Sequence, residues 1–152
     1  MAGDDLGWAA IEGLEEAGLN HVAELLPLDR PGPALVDHFQ GRNRVILIDA
    51  MEAGLAPGSV RALALEELIV SAHPPSSHGL GLAEALALAR ALDCMPAHLR
   101  VIGIEAGPGL DRETLSSAIR EVVRLVQAIL SENRSGLGSV DPAPPSPSQR
   151  SL

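Results

Sequence analysis

Hydrophobic and polar positions fall into blocks along the chain, and the blocks switch between a helical period and unbroken apolar runs. Near the start, Trp8, Ile11 and Leu14 recur at three-residue steps, while Glu12, Glu15 and Glu16 fall on the other side. That pattern predicts an amphipathic helix from about Asp4 to Ala17, with Gly18 as its stop. His21–Leu26 reads as a short strand, although its alternation is poor, and Pro33–Gln40 as a short helix closed by Gly41. Arg44–Asp49 is an unbroken, β-branched-rich run of the kind found in parallel strands covered on both faces. Ala56–Ser59 is a turn, and Val60–Val70 fits strand or helix equally well.

After the loop Pro74–Ser77, a helix is expected over Gly79–Leu92 and a second buried strand over Leu99–Ile104. A long helix follows from about Arg112 to Ser131, with Asp111 as its N-cap. Leu115, Ile119, Val122, Val126 and Ile129 form its apolar stripe. Strands alternating with helices imply an α/β three-layer sandwich around a mostly parallel central sheet with right-handed crossovers. From residue 133 onward the chain turns to Ser, Gly and Pro, so a domain over 1–132 and a disordered tail over 133–152 are expected.

Composition narrows the function classes. A net charge of −9 argues against a surface for nucleic acid or an anionic membrane, since both need clustered Lys and Arg. Cys94 is the only cysteine, so no internal disulfide can form and a reducing compartment is the natural setting. Met1 is followed by neither a basic stretch nor an apolar core, and no apolar run approaches the ~18 residues of a membrane span. A cytoplasmic protein is expected.

The candidate chemistry lies where an open α/β sheet puts it, outside the carboxyl ends of the strands. Asp49 closes its strand, His78 stands at the start of a helix, and Asp4 and Asp5 open the first helix. The topology turns all three elements to one rim, where two carboxylates and an imidazole make a site for a divalent metal. Ordinary roles stay open for each. The acidic pair also caps a helix, Asp49 can bond a neighbouring loop, and His78 can pack at a helix start. The glycines Gly79 and Gly81 form only part of a phosphate-cradling pattern. Cys94 would need a neighbouring base to act as a nucleophile.

These residues carry a family resemblance. Gly3-Asp4-Asp5, Val45–Ala50, the Ala56-Pro57-Gly58 turn and Ser77-His78-Gly79-Leu80-Gly81-Leu82 resemble, in order, the nickel–iron hydrogenase maturation endopeptidases. Val101–Glu105 and Gly109-Leu110 are also similar, so the likeness runs from Gly3 to about Leu130. It implies a phosphorylase/hydrolase-like fold in a cytoplasmic endopeptidase. The enzyme would remove the C-terminal extension of the nickel-loaded hydrogenase large-subunit precursor. It also implies that Asp5, Asp49 and His78 are the catalytic, metal-contacting residues. The metal would be the substrate's own nickel rather than a resident cofactor.

Members of that family begin with an apolar strand ending in Gly-x-Gly-Asn, and here Met1 stands almost where that turn should be. The N-terminal strand is therefore expected to be missing, through either a start codon lying upstream or decay of the copy. The alternative function is a catalytically degenerate module that docks on a hydrogenase subunit or assembly factor.

Overall fold

The structure, a computed structural model, describes residues 3–27, 34–64 and 79–139. Helix α1 (Gly3–Glu16) is followed by a 3-10 turn (Leu19–His21), helix α2 (Ala34–Phe39) and strand β1 (Arg44–Met51). Strand β2 (Val60–Leu63), helix α3 (Gly79–Ala91), strand β3 (His98–Glu105) and helix α4 (Arg112–Ser139) complete the order. Among the described residues the sheet has three strands in the order β1-β3-β2. β1 and β3 run parallel from Arg44 opposite His98 to Met51 opposite Glu105.

β2 runs antiparallel to β3, with Val60 opposite Ile104 and Leu63 opposite Val101. The sheet is thus mixed, and the reason is local. A turn at the carboxyl end of β1, closed by Ser59 N–H to Ala56 O at 3.0 Å, sends the chain straight back instead of through a helical crossover.

Alternation along the strands sorts their side chains onto two faces. Ile46, Ile48 and Ala50 of β1 and Ile102 and Ile104 of β3 pack against α1 and α4. Val45, Leu47, Leu63, Leu99 and Val101 pack against α2 and α3, chiefly Leu35, Phe39, Leu82 and Leu86. These are the three layers of an α/β sandwich.

α1 forms where its pattern predicts, but its buried face differs. Leu6, Ala10 and Leu14 are buried at four-residue steps, and Trp8 is 49% exposed. A stripe followed at three-residue steps rotates off the face of a 3.6-residue helix and so takes in the exposed Trp8. Gly13 lets α1 approach α4, because a Cβ there would run into the Cγ2 methyl of Ile119.

The strand expected over His21–Leu26 is absent. Gly18 adopts φ +82, a left-handed conformation suited to glycine, and the chain tightens behind it. Val22 N–H and Ala23 N–H both donate to Leu19 O, so these amides are committed locally rather than to a ladder.

Asp111 caps α4 as expected, its Oδ1 accepting the Thr114 N–H at 2.7 Å. That bond holds the Asp111 carboxyl below its ordinary pKa. α4 runs past the anticipated end near Ser131 to Ser139, and Ala118, Val122, Val126 and Ile129 form its buried stripe. The sequence from residue 140 onward and the ambiguous segment from 65 to 70 lie outside the described residues.

Candidate active site

Asp49 stands near the carboxyl end of β1, opposite Gly103 of β3, and is half-buried. Its Oδ1 accepts the N–H of Ala50 at 2.9 Å. Arg61 of β2 also pairs with Gly103, so one row across the sheet reads Asp49–Gly103–Arg61. Gly103 is a low point in this row. A Cβ there would lie 2.6 Å from Met51 Sδ and 2.9 Å from Leu63 Cδ1, so those two side chains already occupy the space above it.

Strand alternation turns Asp49, Met51 and Glu105 to the α2/α3 face. The helix that follows His78, α3, covers the same face, whereas α1, which carries Asp5, covers the opposite one. His78 lies outside the described residues, and α1 places the backbone of Asp5 in its first turn. Among the described residues no three His, Cys, Asp or Glu side chains converge to hold a metal ion.

Two loops build the rim around Asp49. Residues 52–59 leave β1 and reach β2, and 106–111 leave β3 and reach α4. They are interlocked. A Cβ on Gly107 would lie 2.8 Å from Pro57 Cγ, and one on Gly58 would lie 2.5 Å from Thr114 Cγ2. Gly58 also has φ +89, so both its backbone and its surroundings favour glycine.

Glu105 is a buried rim residue that the sequence does not single out. It is 3% exposed, and its Oε1 and Oε2 accept the Ala53 N–H at 3.0 and 3.1 Å. Oε2 also accepts the Gly54 N–H at 3.3 Å. The one available signal was an acidic residue closing an otherwise apolar strand, Val101–Glu105.

The opposite, amino edge of the sheet carries a groove of about 570 Å³ lined by residues including Phe39, Arg42, Cys94 and Met95. Cys94 is half-buried there, remote in the topology from Asp49.

The family model described as HycI, hydrogenase maturation protease, matches residues 23–132. The chain belongs to the hydrogenase maturation protease family. It is 31% identical over 107 residues to the hydrogenase expression/formation protein HupD of Thiocapsa roseopersicina, covering 68% of this chain and 48% of that protein. It is 33% identical over 95 residues to HoxM of Azotobacter vinelandii, covering 61% of this chain and 44% of that protein. The chain thus spans about half the length of the curated relatives it matches.

Among solved structures, the maturation protease HybD from Thermococcus kodakarensis superposes with a TM-score of 0.63 at 26% identity, covering 85% of this chain and 90% of that one. The hydrogenase maturating endopeptidase HybD from E. coli has a TM-score of 0.64 at 24% identity, covering 86% and 85%, a likeness of fold. The α/β sandwich of this family member is therefore that of known maturation proteases. No helix among its described residues is long and apolar enough to cross a membrane.

Proposed function

We propose that this protein is an endopeptidase that removes the C-terminal extension of the hydrogenase large-subunit precursor once nickel has been loaded. The observation that carries the reading is the family match over residues 23–132, with Asp49 fixed at the carboxyl edge of a sheet of that family's fold. Asp5, Asp49 and His78 are the residues assigned to the substrate's nickel. Carboxylate oxygen and imidazole nitrogen are acceptable Ni²⁺ donors, and the imidazole is the more selective of the two.

Nickel held between substrate and enzyme would polarise the scissile carbonyl or lower the pKa of a bound water. A carboxylate of the same set would take the water's proton as general base. Cleavage would then report that metal loading is complete. The setting is a reducing compartment, and the partner is the precursor rather than nucleic acid or membrane.

The test is intact-mass analysis of the precursor, nickel-loaded and nickel-free, after incubation with the protein. The reading expects loss of a short C-terminal peptide from the loaded form alone. Equal cleavage of both forms would overturn the nickel-dependent mechanism. Binding of the loaded form without shortening would overturn the enzyme and leave a docking module.

A further inference from the structure

Among the described residues, Glu105 is the buried polar residue, and its carboxylate faces backbone N–H groups of a loop 52 positions away in the chain. Burying a carboxylate is costly unless charge-assisted hydrogen bonds offset the lost hydration. Here the bonds come from Ala53 and Gly54, both exposed, which lie four and five residues beyond Asp49 in the loop that leaves β1.

The far end of the same loop is already fastened by the main chain of Glu105. Gly58 N–H donates to Glu105 O, and Glu105 N–H donates to Ser59 O, both at 2.8 Å. The turn into β2 therefore closes without the side chain. What the carboxylate adds is a fixed position for the first half of the loop. These side-chain bonds tie an exposed segment of the rim to β3 rather than enlarging the apolar core.

We propose that Glu105 is a positioning residue. Through the amides of Ala53 and Gly54 it holds residues 52–58 as a rigid shelf, and the extended segment of the precursor around the cleaved bond rests on that shelf. Packing of Pro57 on Gly107 and of Gly58 on Thr114 backs the shelf from behind. The assignment rests on the endopeptidase reading above, and its test separates the two.

Glu105→Gln keeps the side-chain volume but offers one acceptor oxygen and turns an NH₂ towards N–H donors. Glu105→Ala removes the clamp entirely, and the glutamine variant keeps the test informative if the alanine variant does not fold. Amide hydrogen exchange at Ala53 and Gly54 is followed beside Ile102 in β3, with precursor cleavage kinetics measured in parallel. In Glu105→Gln, exchange at Ala53 and Gly54 should rise about tenfold with Ile102 unchanged. KM for the precursor should rise about tenfold, with kcat held within about twofold.

Unchanged exchange at the two amides overturns the clamp. Faster exchange with an unchanged KM overturns the shelf. Faster exchange throughout, Ile102 included, assigns Glu105 to fold stability alone and also overturns the proposal. If the unaltered protein shortens no precursor, the endopeptidase reading fails, and the dissociation constant for a peptide of the precursor's C-terminal segment takes the place of KM. A value about tenfold weaker for Glu105→Gln then supports the shelf, and an equal value overturns it.

Discussion

Replacing Gly13 with alanine sets two effects of known size against each other. Gly13 lies inside α1, where alanine is favoured over glycine by about 1 kcal/mol. The new Cβ, however, would fall on the Cγ2 methyl of Ile119, with Val123 Cγ2 a further 3.9 Å contact. Ile119 is β-branched and lies within α4, so its χ1 is nearly fixed and the methyl cannot swing aside. Relief must come from moving one helix away from the other, across a cluster that includes Leu14 and Val122. Overpacking of this kind costs about 1–3 kcal/mol. The clash therefore offsets or outweighs the propensity gain, and Gly13→Ala should destabilise the protein by up to about 2 kcal/mol.

Urea unfolding followed by far-UV circular dichroism measures this as a lower midpoint at unchanged slope. Ile119→Leu removes the Cγ2 branch and supplies the control. In that background Gly13→Ala should lose its penalty, leaving a coupling of about 1 kcal/mol or more. A stabilising Gly13→Ala in the native background, or additive single and double variants, would refute the close packing of α1 on α4.

Other outcomes follow from named contacts. Asp93 holds φ +57 where Cys94 N–H returns to Ala89 O at 2.9 Å and Asp93 N–H to Arg90 O at 3.2 Å, so Asp93→Gly should raise stability by about 1 kcal/mol in the same urea assay. Asp111 caps α4 with its carboxyl pKa lowered by the Thr114 N–H, so its contribution is present above the unfolded pKa and is lost as pH falls through the lower folded value. Asp111→Ala should thus lower the melting temperature by a few degrees at pH 7, with the difference fading below about pH 4. His78→Ala should abolish precursor processing while leaving the melting temperature within about 2 °C of the parent, and a variant with normal activity would remove His78 from the site.

What the sequence discloses follows the strength of its local signals. β1 and β3 were legible because an apolar, β-branched run such as Val45–Ile48 has few other uses in a small domain. α3 was legible from its apolar run after Gly79, and the start of α4 from Asp111 and a sustained stripe, whereas the end of α4 at Ser139 was not. The segment after Gly18 was not, because Val22, Leu25 and Leu26 supply strand-like composition while the left-handed glycine commits their neighbours to local bonds. The direction of β2 follows from the turn at Ala56–Ser59, but its place in the sheet depends on β3 entering between β1 and β2, a contact made far along the chain. Asp49 could be placed because the apolar run stops at it, although the strand itself continues two residues further, to Met51. The role of Glu105 could not, because its partners Ala53 and Gly54 come near it only through the register of β1 on β3.

The most direct test of the account is the intact mass of nickel-loaded precursor incubated with the protein or with its Asp49→Asn variant. Asparagine keeps an Oδ1 to accept the Ala50 N–H, so the strand end should be preserved while the charge is lost. The account predicts a precursor shortened at its C-terminus by the unaltered protein, and cleavage slowed about 10²-fold or more by Asp49→Asn at equal melting temperature. Cleavage at the parent rate by Asp49→Asn, or an unshortened precursor with the unaltered protein, would contradict it.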